Sequence, residues 1–120
     1  MAIDPFEERL ARVRNRFAST LEGKIEDMYN DLAQMSGEGG AVVEAIEASY
    51  RRVHGICGIG PTVGFTRTGR MAREVEAVLL EAYRTHRGLT TTEVASFQKK
   101  LHVLRETAKS ELQLTFSSLR

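Results

Sequence analysis

Apolar residues recur along the first third of the chain at Phe6, Leu10, Val13, Phe17, Leu21, Ile25, Met28, Leu32 and Met35, in steps of three or four. That spacing lays a single stripe along a helix. Asp4-Pro5-Phe6-Glu7 opens it, with Asp as N-cap, Pro at the first helical position and Glu three residues after the cap. One helix carrying the whole stripe would be about 45 Å long. Ser19-Thr20-Leu21-Glu22 is itself a capping box, however, and Gly23 weakens the same place. The pattern predicts two helices, over residues 5–18 and 20–35, with a bend between them; a continuous rod is the close alternative.

Ser36-Gly37-Glu38-Gly39-Gly40 reads as a loop. From about Ala41 a helix buries Val42, Ile46, Ser49, Val53, Cys57 and Gly60, which cluster on one side at 100° per residue. Gly60-Pro61 stops it, and the next helix starts near Thr66 or Thr68 with a stripe of Met71, Ala72, Val75, Val78, Leu79 and Ala82, edged by Tyr83. His86 and Arg87 in its last turn, followed by Gly88 as the left-handed residue, mark its end. Thr90-Thr91-Thr92-Glu93 caps a last helix with the stripe Val94, Phe97, Leu101, Leu104, Ala108, Leu112, then Thr115 and Phe116. No segment alternates with period two, so no sheet is expected. The expected fold is all-α: an antiparallel up-and-down four-helix bundle with an additional N-terminal helix, one domain over 1–120 with N-terminal helices in 1–36 and core helices in 41–116.

Composition narrows the class. At 120 residues, 42% hydrophobic and 28% charged, the chain is sized for one soluble core. No apolar run approaches the roughly 20 residues of a membrane span, and Met1-Ala2-Ile3-Asp4-Pro5 lacks the regions of a signal peptide. A single cysteine, Cys57, excludes an internal disulfide and suits a reducing compartment, so a cytoplasmic location is expected. A net charge of +1 implies no wholesale attraction to nucleic acid or membrane. The charge is unevenly placed, though. Residues 48–73 hold no acid but five arginines, at 51, 52, 67, 70 and 73, a surface suited to an anion or an acidic partner.

That window contains Val53-His54-Gly55-Ile56-Cys57-Gly58-Ile59-Gly60-Pro61-Thr62-Val63-Gly64. On the wheel His54 lies about 100° from the centre of the buried stripe, beside Glu47, Arg51 and Gly58, and is expected to be exposed. Gly58, one turn further on, removes bulk from its side. The glycine spacing brushes against a dinucleotide fingerprint, but that motif follows a strand, and here the preceding residues have a helical period. The three histidines lie far apart with no Cys/His pairing, so no metal cluster is indicated. No Ser/His/Asp or Cys/His arrangement appears at local spacing. An exposed imidazole is mostly neutral at pH 7 and available as a nucleophile, and histidine can form a phosphoryl adduct. Nearby arginines would stabilise the anion. Nothing in the chain is suited to hold Mg²⁺, which a partner would have to bring.

Val53 to Glu76 resembles the core of the histidine-containing phosphotransfer (HPt) domain. That pattern has a histidine, an aliphatic two on, lysine three on, glycine four on and ten on, then a helix closing on an aliphatic followed by an acid or amide. His54, Ile56, Gly58, Gly64, Phe65, Ala72, Arg73, Val75 and Glu76 stand at matching positions, over 24 residues. Two positions depart: Cys57 stands where lysine is usual, and Thr68 where a core aliphatic is usual. The resemblance implies that His54 is a phosphoacceptor, that Glu76 bonds its imidazole, and that Gly58 gives access to a receiver domain. Arg51, Cys57, Arg67 and Arg70 would border the phosphoryl group, with an arginine replacing the missing lysine charge. The implied partners are response-regulator receiver domains, which carry the Mg²⁺, and a hybrid histidine kinase. The chain itself would be a monomer, with a dimer through the spare Phe6 and Leu10 left open. The alternative is an HPt-like helical module that docks a receiver or kinase without being phosphorylated.

Overall fold

The computed structural model describes residues 4–117, with side chains to 115. Four α-helices follow in order: α1 Pro5–Leu32, α2 Gly40–Ile59, α3 Thr66–Thr85 and α4 Thr91–Ser117, with a 3₁₀ turn at Gly60–Val63. No strand forms among the described residues; the isolated bridge Ser36–Leu89 is the sole trace of β pairing among them. The helices pack in a ring, α1 on α2 and α4, and α3 on α2 and α4, which makes a helical bundle. None of them is long and apolar enough to cross a membrane.

The first helix corrects the expectation of two. Asp4 caps it as anticipated, its Oδ1 accepting from Phe6 N at 2.9 Å with Pro5 at the first helical position. The chain then continues helically through Ser19 and Thr20. Their hydroxyls donate back to carbonyls of their own helix, Ser19 to Arg16 O at 2.9 Å and Thr20 to Arg16 O at 3.2 Å. A hydroxyl used in this way satisfies itself inside a helix and caps nothing. The described residues therefore form four helices, with no separate N-terminal one, and α1 belongs to the common core. Phe17, Leu21, Ile25 and Met28 pack in one cluster with Val53, Ile56, Phe65, Leu79, Phe97 and Leu101. Each such side chain adds about 1.5–3 kcal/mol by leaving water.

The front of the α1 stripe is a second correction. Phe6 is 62% and Val13 46% exposed, while burial becomes complete only at Phe17 and Ala18. Phe17 meets Phe65 with ring centroids 5.1 Å apart, beside the turn that ends α2. Before Phe17 the packed surface narrows: Leu10 is half-buried against the core and Arg14 Nε donates to Val63 O of that turn at 3.0 Å, while Phe6 and Val13 face away from it. Phe116, expected in the α4 stripe, lies outside the described side chains.

The connections are fixed by backbone chemistry. Gly64, at φ +94°, turns the chain out of the 3₁₀ segment, and Phe65 N donates to Gly60 O at 2.8 Å. At the other end, α3 stops at Thr85 and the left-handed residue is His86 at φ 53°, rather than Gly88. Gly88 is instead needed for space, because a Cβ there would lie 2.5 Å from Gly37 O and 2.9 Å from Val42 Cγ1. Leu89 N reaches Met35 O at 2.7 Å, tying the two loops of that end together. The predicted capping box of α4 forms: Glu93 N donates to Thr90 Oγ1 at 3.1 Å and Thr90 N to Glu93 Oε1 at 2.9 Å.

Candidate functional site

α2 presents His54 as the helical phase requires. Val42, Ile46, Ser49, Val53, Cys57 and Gly60 are all buried, and the His54 side chain, off that stripe, is 68% exposed. Across the groove Glu76 rises from α3, whose buried side carries Ala72, Val75, Leu79 and Ala82. His54 Nδ1 lies 2.5 Å from Glu76 Oε2. A carboxylate accepts and does not donate, so Nδ1 carries the hydrogen. In the neutral ring Nε2 then keeps its lone pair, and the side chain is largely open to solvent.

Two tyrosines that the sequence reading did not select complete this setting. Tyr50, one turn before His54 on α2, stacks on the imidazole with centroids 5.7 Å apart and planes 11° apart. Tyr83 of α3 stacks on Tyr50 in turn, at 3.9 Å and 9°. Burial first, and the Glu76 carboxylate second, push the Tyr50 phenol above its ordinary value, so it is uncharged near neutral pH. The i,i+4 spacing of Tyr50 and His54 was the available signal for half of this arrangement. Its other half depends on how α2 meets α3.

Around the ring the expected residues divide. Gly58 is exposed, and a Cβ added there would meet nothing within 4 Å, so the surface next to His54 stands open. Cys57 points inward at 8% exposure. Burial chiefly, with the Glu76 charge adding, pushes its thiol up to about 11, which keeps it protonated and without charge. Arg51 is exposed and paired with Glu47 at 3.3 Å; Glu47 also lies 3.8 Å from His86 Nδ1.

The arginines of α3 fan round the helix. Relative to Glu76, at 100° per residue, Arg73 lies about 60° away, Arg70 about 120° and Arg67 about 180°. Arg67 therefore leaves on the far side, where its backbone N meets Glu111 of α4 at 3.3 Å, and it is not brought to His54. Arg70 is exposed and stands at an intermediate position. Arg73 is the close one. Its charge acts on Cys57, holding the thiol lower than burial alone would. It was visible as one of the five arginines in the acid-free window, and its phase relative to Glu76 separates it from Arg67.

Thr68, the second departure from the HPt pattern, is fully buried with its Oγ1 unpartnered, and its backbone N donates to Glu111 Oε1 at 2.6 Å. Glu111 thereby caps α3, whose own N-cap residue, Phe65, has no side-chain acceptor. Among the described residues no group of three or more His, Cys, Asp or Glu side chains is placed to hold a metal. Comparison of the chain with protein-family models, curated proteins and solved structures found no match.

Proposed function

We propose that this chain is an HPt-type phosphoryl carrier in a multistep two-component relay, with His54 as the phosphoacceptor. The observation that carries the reading is the exposed imidazole whose Nδ1 is held by Glu76. In the transfer, the Nε2 lone pair attacks the phosphorus of a receiver's phospho-aspartate. The N–P bond forms, the P–O bond to the aspartate breaks, and the electron pair leaves on the restored carboxylate. No proton has to move, because the one N–H of the neutral ring sits on Nδ1. The ring gains positive charge as it is phosphorylated, and the Glu76 carboxylate balances it. Transfer to a second receiver is the reverse step. Mg²⁺ and the remaining groups that act on the phosphoryl belong to the receiver.

On this reading the bundle is an antiparallel up-and-down one, working as a cytoplasmic monomer, and its other partner is a hybrid histidine kinase. Gly58 lets the receiver approach, and Arg73, with Arg51 and Arg70, replaces the positive charge that Cys57 lacks. The receiver interface is at or below about 1,200 Å², as suits a transient encounter. A second reading, a module that docks a receiver without taking its phosphate, is favoured by Cys57 itself, a buried neutral thiol in the place of a lysine.

One experiment separates the two. The protein is incubated with a panel of radiolabelled phospho-receivers. The carrier reading expects acid-labile label on the wild type and none on His54→Gln. Absence of label across a full panel, with receiver binding retained, would establish the docking module.

A further inference from the structure

We infer that Tyr50 is a positioning residue for His54, and that the Tyr83–Tyr50 stack supports the imidazole in the state that carries charge. This inference rests on the carrier reading for its chemistry, but its geometry stands independently. An imidazole on Cβ has two torsions to fix. The Glu76 contact holds one edge of the ring at Nδ1, 2.5 Å away. A single contact at an edge still permits the ring to rock about the line joining Nδ1 and Oε2. The Tyr50 ring, 11° from parallel with its centroid 5.7 Å away, lies against the imidazole in an offset stack and limits that freedom. Tyr50 is itself held by its stack on Tyr83, 3.9 Å away and 9° from parallel. Two anchors, one at the edge and one alongside the ring, define a plane, and Gly58 one turn further on leaves the helix surface open.

The stack also has an electronic consequence. An aromatic face is negative, and a ring that becomes cationic is attracted to it. The imidazole acquires that charge when Nε2 forms its bond to phosphorus. The uncharged Tyr50 ring is therefore more favourable to the phosphorylated state than to the free one. An interaction of this kind at a half-exposed site corresponds to about a two- to tenfold change in an equilibrium. Arginine 84, whose charge reaches Tyr50, and Glu76 are the charged groups that act on this phenol.

The test begins with the unmodified protein. Nuclear magnetic resonance of the three histidines is expected to show the His54 ring protons shifted upfield of those of His86 and His102 by the ring current of Tyr50. The ¹⁵N shifts are expected to report the Nδ1–H tautomer for His54. In Tyr50→Leu the upfield shift disappears, the tautomer preference weakens, and the phosphohistidine level reached with an excess of phospho-receiver falls about two- to tenfold. Tyr50→Phe keeps the ring and retains all three properties. Should Tyr50→Leu fail to fold, the wild-type shifts and Tyr50→Phe still decide. His54 protons in the unshifted range overturn the inference, as does a Tyr50→Leu protein with unchanged tautomer and phosphohistidine level. A tautomer that responds to Tyr50→Leu in a protein no receiver labels would keep the positioning and overturn the carrier reading instead.

Discussion

Removing the carboxylate of Glu111 tests how α3, the helix that brings Glu76 to His54, is held at its start. Glu111 is 8% exposed and accepts from Thr68 N at 2.6 Å and Arg67 N at 3.3 Å, where Phe65 provides no side-chain cap. A hydrogen bond to a charged acceptor contributes about 1.5–3 kcal/mol, and the longer contact adds only a fraction of that. A negative charge at a helix N-terminus overlaps with this energy rather than adding fully to it. Glu111→Ala is therefore expected to cost about 2–3 kcal/mol. At about 2.1 cal/mol/K per residue, 120 residues lose about 4 °C in Tm per kcal/mol, which predicts a fall of about 8–12 °C. Glu111→Gln keeps an acceptor oxygen but not the charge, and is expected to lose about half as much. Thermal melts followed by circular dichroism read both values. Amide hydrogen exchange adds the local signature, with Arg67 and Thr68 gaining more than Val75 or Leu79. A Glu111→Ala melt within about 3 °C of wild type would refute the reasoning, as would a Gln variant as damaged as the Ala variant.

Two glycines are expected to behave in opposite ways. Gly58→Ala meets nothing within 4 Å and is expected to gain about 0.5–1 kcal/mol in the melt, whereas on the proposed carrier reading Gly58→Phe is expected to keep the fold and block phosphotransfer to His54; transfer equal to wild type by Gly58→Phe would refute the open-surface role. Gly69→Ala brings its Cβ to 2.7 Å from Pro61 Cδ and Cγ and is expected to destabilise by about 1–3 kcal/mol, seen as a lower denaturant midpoint. Glu93 supplies a pH dependence: Arg87 foremost, with Thr90, holds its carboxyl at about 2 against an ordinary 4.5. Because the folded value is the lower one, the stabilisation is complete above pH 4.5 and fades as pH falls through about 2. The Tm gap between wild type and Glu93→Gln should close over that window, and a gap that stays constant would contradict the assignment.

The sequence pattern reached far into this fold where one helix alone decides the outcome. The α2 stripe from Val42 to Gly60 and the exposure of His54 both follow from phase, which neighbouring helices do not alter. The Thr90–Glu93 box formed for the same reason, since its partners are three residues apart. Readings failed where one residue type has two uses. The Ser19 and Thr20 hydroxyls cap in one setting and bond back to Arg16 in another, and only the packing of Phe17 and Leu21 selects the second. At the end of α3, His86 took the left-handed turn while Gly88 was consumed by a close approach of two loops, a demand set by residues some fifty positions earlier. The exposure of Phe6 and Val13 depends on where α2 and α3 end in space. At the site, the Glu76 contact entered by family resemblance, Arg73 was legible from its phase relative to Glu76, and Tyr83 required the mutual setting of α2 and α3.

His54, Gly58, Glu76 and Arg73 lie on the outer faces of two helices whose inner faces carry Val53, Ile56, Val75 and Leu79. Both helices are secured away from this surface, by the Met35–Leu89 tie at one end and the Gly60–Phe65 turn with Glu111 at the other. Substitutions at His54, Gly58 or Arg73 therefore leave the packing untouched, and the inner face reaches the outer chemistry through few residues, Tyr50 and Tyr83 among them. The positions that set what meets this protein and the positions that keep it folded form two nearly separate alphabets. One can be rewritten while the other is read unchanged.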